Sequence, residues 1–303
     1  MALVSIFIDN ILPILAVAGI GYLLARYLRA DVNTLSRVTL YALTPCLVFN
    51  LLVTSAISAD EFGRLLLFTL GTILGIGAIA WLVTRTLRLD RVTASALMVV
   101  AMFSNGGNYG LPLASFAFGQ AAMARATIYF VVSVVLTYTL GIVVASSSRR
   151  GVRAALLGVF KIPTVYAAMA AIVVLATHTQ LPSVAMRPIE LLSNAAIPVM
   201  LLVLGMQLER AVKPERPHLV GLAVGLRLIV STLLGFALAR IVGLDGVARQ
   251  AGILQTAMPV AVITTILAVE FQIEPTFVTS VVFLSTLLSP LTLAPLIALL
   301  ANG

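Results

Sequence analysis

The stretch SNGGNYGLPL, Ser104 to Leu113, sets two asparagines, three glycines and a proline in the middle of a membrane-length apolar segment. Glycine and proline are the poorest helix formers, so a helix is expected to break there. Hydrocarbon tolerates unwound backbone only where protein buries it or it lines a cavity, because each unpaired N–H or C=O costs several kcal/mol. The break is therefore a candidate site.

The segment is typical of its surroundings in every respect but this one. The chain of 303 residues is 61% hydrophobic and 10% charged, with a mean hydropathy of +1.12, far outside the range of soluble domains. A bilayer core of roughly 30 Å needs about 20 apolar residues per helix. Divided at charged or Pro/Gly-rich points, the sequence yields ten such segments, over 5–27, 34–56, 63–84, 93–118, 124–146, 163–180, 186–208, 218–242, 248–271 and 275–301. The expected fold class is an all-α polytopic membrane protein. Little of this sequence lies outside the segments, which leaves no room for a soluble catalytic, nucleotide-binding or DNA-binding domain.

The net charge of +8 is dispersed over short loops rather than gathered on one face, which argues against a nucleic-acid partner. Its distribution reports topology instead. Alternate loops carry Arg26, Arg29 and Arg37; Arg85, Arg88 and Arg91; Arg149, Arg150, Arg153 and Lys161; then Arg210, Lys213 and Arg216, thirteen of the 19 basic residues. The positive-inside rule makes these loops cytoplasmic and places both termini outside. Met1 to Asn10 lacks the basic stretch of a secretory signal, so segment one is read as a retained helix. The single cysteine, Cys46, excludes an internal disulfide, and His178 and His218 fall at segment ends on opposite sides, too far apart to share a metal.

The longest cytoplasmic connection follows segment five. It divides the chain into a first repeat over 1–147, a connector over 148–162 and a second repeat over 163–303. Two halves of five segments have opposite orientations, the arrangement of an inverted repeat with its binding site at the midplane. Internal similarity agrees. LTPCLVFNLL in segment two matches AIPVMLLVLG in segment seven with Pro45 on Pro198, and LMVVAMFSNGG in segment four matches ILQTAMPVAVI in segment nine with Ala101-Met102 over Ala257-Met258. Both members of the second pair are then interrupted, one by Gly106, Gly107, Gly110 and Pro112, the other by Pro259. Paired interruptions at matching positions point to a transporter binding site. Two broken helices crossing at mid-depth would aim half-helix N-termini, with partial positive charge, at one place. Pro45, Pro198 and Pro290 have no such polar company and read as packing kinks.

The spacing Asn105-x4-Gly110-x-Pro112, the Ala257-Met258-Pro259 segment, the Glu270-x3-Glu274-Pro275 loop and the TLLSPLTL ending resemble the auxin efflux carrier family, specifically its short bacterial members, over essentially all ten segments. The resemblance implies two inverted five-helix repeats with broken crossing helices four and nine, as in bile-acid sodium symporters. It also implies a scaffold half and a transport half, each assembled from both repeats, in a bacterial inner membrane. By the same resemblance Asn105 stands at the plant carriers' ligand-contacting asparagine, and Pro112 and Pro259 at the crossover prolines. Plant members export indole acetate, and bacterial members are associated with small carboxylates such as malonate and malate. Plant carriers often carry a long phosphorylated loop after segment five. This chain has only SSSRRGVRAALLGVFKIP there, in which Gly151 to Phe160 reads as a short interfacial helix.

The expected function is secondary transport of a small organic anion by elevator-like alternating access, with a channel or ligand sensor on the same fold as the alternative. An enzyme is not expected, since the chain lacks a nucleophile elbow, a HExxH pair, an aspartate-rich metal motif and a mid-membrane carboxylate pair. The carboxylate would bind between segments four and nine against Asn105 and Asn108, with Tyr109, Gln255, Thr256 and Met258 nearby and Gly106, Gly107, Gly110, Pro112 and Pro259 as crossover residues. Arg227, about eight residues into segment eight, either draws the carboxylate or snorkels to the cytoplasmic surface. Asn50, Asn194 and Gln207 are candidates for bonds between helices, and Tyr129 and Tyr138 for packing or gating. No cofactor is expected. Na+ or H+ coupling finds no carboxylate in the crossover to support it, so uniport is the expectation. The partners are the anion, the bilayer and a second copy joined across segments two and seven.

Overall fold

The computed structural model describes residues 2–146, 162–209 and 216–302. The connector helix expected at Gly151 to Phe160 lies outside them. Every regular element among the described residues is a helix, and the one extended pairing among them is an isolated antiparallel bridge between Ser104 and Val260. Seven helices are long and apolar enough to cross a membrane by length and composition, with Gly106–Ala145 counted as one. That one bends at Gly119, whose φ of 81° and ψ of −176° only glycine adopts readily.

In chain order the helices are α1 (Leu3–Leu28), α2 (Val32–Thr54), α3 (Ala59–Thr86), α4 (Arg91–Met102), α5 (106–118) and α6 (120–145). There follow α7 (Pro163–Ala176), α8 (Ser183–Leu208), α9 (Pro217–Val242), α10 (Gly246–Thr256), α11 (Ile263–Phe271) and α12 (Pro275–Ala301). Their ends fall within four residues of the expected segments. Local chemistry sets them. Asp31 accepts from the Asn33 and Thr34 amides at the start of α2, Ser58 from Glu61 at the start of α3, and Asp90 from Val92 and Thr93 at the start of α4. Each satisfies amides that have no intrahelical partner. The Ser58 cap explains why α3 begins at Ala59 rather than at 63, since Asp60 and Glu61 are favourable in a first turn. Pro163, Pro217 and Pro275 open α7, α9 and α12, where a missing N–H costs nothing.

Packing divides the helices into two neighbourhoods. The helix α8 lies along α1 and α2, and α7 lies along α2. Between α1 and α8 the backbones touch. A methyl on Gly21 would overlap the Leu202 carbonyl, and one on Gly205 the Ala18 carbonyl, so both positions require hydrogen as side chain. Asn50 bonds across from α2 to Ser193 of α8 at 3.2 Å, whereas Asn194 is exposed and Gln207 Oε1 is buried without a partner. In the second neighbourhood α3 packs on α4, α6 and α9, and α9 packs on α10 and α12. The two interrupted helices, α4–α5 and α10–α11, cross inside it.

Candidate functional site

The crossing is built by main-chain bonds. The amide of Asn105 donates to Pro259 O at 2.7 Å, and that of Ala261 donates to Phe103 O at 2.9 Å, on either side of the Ser104–Val260 bridge. Under the match of LMVVAMFSNGG on ILQTAMPVAVI, Ser104 falls on Val260, Phe103 on Pro259 and Asn105 on Ala261. The two bonds therefore exchange under that equivalence, as across a local two-fold axis. The Val260 amide, which would otherwise be orphaned, donates to Ser285 Oγ of α12 at 3.1 Å. At 1.5 Å per residue α4 and α10 each run roughly 17 Å before they stop, about half a bilayer core.

The interruption differs in register from the expectation. The unwound residues of the first crossing strand are 103–105, and Gly106 to Gly110 already form the wide first turn of α5. The glycines serve packing rather than unwinding. A methyl on Gly106 would lie 2.7 Å, and one on Gly110 2.5 Å, from Gln255 Oε1, whose amide lies flat on this turn and donates through Nε2 to Gly106 O at 3.2 Å. A methyl on Gly107 would lie 2.7 Å from the Phe130 ring. Pro112 follows the wide turn as the seventh residue of α5 and brings no N–H to the helical ladder there. In the second crossing strand Pro259 lies inside the unwound stretch 257–262 and supplies the carbonyl that Asn105 uses.

Three polar atoms at the crossing are buried without partners: Ser104 Oγ, Asn105 Nδ2 and Gln255 Oε1. Asn105 is 6% exposed and Gln255 fully buried. Each orphan costs on the order of 1–3 kcal/mol. Native chains retain such costs mainly where a ligand or water meets the group. A hydroxyl and an amide N–H are donors suited to a carboxylate, and the N-termini of α5 and α11 each add roughly half a positive charge. Asn108, one turn on, is partly exposed. Tyr109 is buried, with its hydroxyl 3.4 Å from Ser289 Oγ. Met258 is buried as well.

Two expected site residues are turned elsewhere. The Thr256 hydroxyl donates to Ile253 O at 2.7 Å and rests against Gly235 of α9, so only its carbonyl serves the crossing. Arg227 neither snorkels nor stands open to a ligand. It is fully buried, and its guanidinium donates to Ala101 O at 2.7 Å, to Met102 O at 3.2 Å, to Thr256 O and to Ser231 Oγ. It thus caps the C-terminal carbonyls of both α4 and α10. Tyr129 is buried with its ring 6.3 Å from that of Phe68, a packing role, and Tyr138 is partly buried.

The sequence model of the membrane transport protein family matches residues 6–155 and 147–297, nearly the whole chain. The chain belongs to this family, that of the auxin efflux carriers. It is 28% identical over 296 residues to an uncharacterized transporter of Methanothermobacter thermautotrophicus, covering 94% of this chain and 95% of the relative. An uncharacterized transporter of Methanocaldococcus jannaschii is 24% identical over 296 residues, 94% of this chain and 96% of its own length. The family and these relatives are transporters, not enzymes, and the chain is an integral multi-pass membrane protein. Sequence reasoning missed Ser231 and Ser285, which complete the crossover's hydrogen bonds. Ser231 carries a readable signal, four residues beyond Arg227 on the same helix face.

Proposed function

We propose that the chain is a secondary carrier for a small organic anion, a carboxylate of the indole acetate, malonate or malate kind, which it moves by elevator-like alternating access. The observation that carries this reading is the pair of orphaned donors, Ser104 Oγ and Asn105 Nδ2, at the crossing of two interrupted helices. A carboxylate bound there accepts from Asn105 and Ser104 and lies between the N-termini of α5 and α11, with Asn108 and Tyr109 at the edge. The α1, α2, α7, α8 group acts as scaffold and the remainder moves against it. The membrane potential, worth roughly 2.3 kcal/mol per charge per 100 mV, drives an anion out of an inside-negative cell without further coupling.

The architecture we propose is ten crossings in two inverted repeats, 1–147 and 163–303, in a bacterial inner membrane with both termini outside. Three features support it. The exchange of bonds about Ser104 and Val260 is what an inverted pair requires. The packing of α1 on α8 has its counterpart in that of α7 on α2, as α3 on α4 has in α9 on α10. Four ion pairs join groups that this topology puts on one side. Arg26–Glu209 at 3.3 Å and Arg216–Glu274 at 3.5 Å are cytoplasmic; Arg64–Asp60 at 2.8 Å and the bidentate Arg125–Glu61 are external.

The test is counterflow of labelled malonate, malate and indole acetate into liposomes holding the purified protein. Saturable counterflow of one acid is expected, and Asn105→Ala should lower its apparent affinity by about tenfold or more, the loss of a hydrogen bond to a charged group. Folded protein that exchanges none of the acids, or that shows unitary conductance instead, would overturn the reading.

A further inference from the structure

Arg227 is the single charged side chain in the buried set of the described residues, and a guanidinium stays protonated even there. It lies in a widened turn of α9, Leu226–Val230, ten residues and roughly 15 Å from Pro217, hence near mid-membrane. No described carboxylate forms an ion pair with it. The other described charges stand within about two turns of a helix end. Its partners are the last carbonyls of α4 and α10, and Ser231 Oγ holds the same Thr256 carbonyl at 3.0 Å. Each helix C-terminus carries about half a negative charge, so one guanidinium offsets the pair and leaves the N-termini of α5 and α11 uncompensated for a ligand. Being bonded to the main chain of both interrupted helices, Arg227 moves wherever the crossover moves.

We infer that Arg227 is the fixed charge of the transport cycle, so that the empty crossover carries one positive charge through the membrane field and the crossover loaded with a monocarboxylate carries none. Helix dipoles sum to zero net charge, so this balance depends on Arg227 and the ligand alone. The reorientation without substrate is then the voltage-dependent step, and the loaded one is not. An inside-negative potential draws the empty, positively charged crossover inward, which speeds net efflux. One complete cycle still moves one negative charge outward. A dicarboxylate leaves the loaded crossover with one negative charge, which makes that step voltage-dependent too. Arg227 acts here through the crossover as a positioning and charge-setting residue, not as a ligand contact.

The inference rests on the carrier reading, and the experiment separates the two. Purified protein in liposomes is clamped with valinomycin and potassium gradients at zero and about −100 mV, and labelled indole acetate is followed in two modes: exchange with acid on both sides, and net efflux into acid-free medium. Exchange is expected to change by less than about twofold with voltage. Net efflux is expected to quicken several-fold, below the ceiling of roughly fiftyfold for a full charge crossing the whole field. In Arg227→Gln the pattern should invert, exchange becoming voltage-sensitive and the empty return indifferent, while Arg227→Lys keeps the native pattern. If the Gln variant does not fold, the wild-type comparison alone decides. Exchange as voltage-sensitive as net efflux, or net efflux indifferent to voltage, overturns the inference and leaves the carrier intact. Absence of exchange for every acid overturns the carrier reading and this inference with it. If malonate rather than indole acetate is exchanged, wild-type exchange should respond to voltage and Arg227→Gln should respond more steeply.

Discussion

Gln255 and the glycines beneath it show how closely the candidate site is fitted. Its side-chain amide covers the first turn of α5 because Gly106 and Gly110 have no β-carbon, and its oxygen is left without a partner. Gly110→Ala drives a methyl into that amide, which must shift from the buried position where it donates to Gly106 O. Overpacking of this kind costs on the order of 1–3 kcal/mol, and anion counterflow should fall about tenfold or more. Gln255→Ala in the same chain should relieve the clash, so the double variant should be at least as stable in a thermal melt as Gly110→Ala alone. A double variant less stable than Gly110→Ala would refute the fit. The position of Asn105 at the interruption was legible in the sequence, because an amide among breakers in an apolar stretch marks the place where the helix stops. The role of Arg227 was not legible. Its partners are backbone carbonyls of two helices more than a hundred residues apart in sequence from each other at their ends, and no side-chain pattern encodes them. Thr256 misled for a related reason, since a threonine in a helix can satisfy its hydroxyl on its own preceding turn.

At the scale of elements, the contact of α1 with α8 is the closest approach of two membrane helices that the glycines report, with Gly21 and Gly205 each facing a main-chain carbonyl. Backbone cannot yield as a side chain can. Gly205→Ala is expected to lower the melting temperature in detergent clearly, at a cost of about 1–3 kcal/mol or more. Gly19→Ala, on α1 beside the crossing but with nothing within 4 Å of the added methyl, should be neutral or slightly stabilising. Equal effects of the two would contradict the close crossing. Helix ends were readable to within a few residues, because Asp31, Ser58, Asp90 and the helix-opening prolines have local chemistry. The interruption was readable in place but not in register. Gly106, Gly107 and Gly110 look like breakers from sequence, yet here they admit neighbouring side chains to a turn that stays wound. Composition reports the freedom of a residue, and packing decides how it is used.

Over the whole molecule, the carrier we propose has one unit containing α4, α5, α10 and α11 that presents the crossover to either side of the membrane in turn. Under the proposed topology the ion pairs fall into two sets, Arg26–Glu209 and Arg216–Glu274 on one side and Arg64–Asp60 and Arg125–Glu61 on the other, with the crossover between them. Alternation concerns two arrangements of the same contacts, so the sequence points to it only through the paired interruptions and the family resemblance. It is tested most directly by accessibility. In a Cys46→Ser background, Asn108→Cys places a lone thiol at the partly exposed edge of the crossing. A small charged methanethiosulfonate, added to vesicles from one face at a time, should modify it from both faces, and the transported acid should slow the reaction from each. A thiol reached from one face only, at a rate the acid does not change, would contradict alternating access at this crossing.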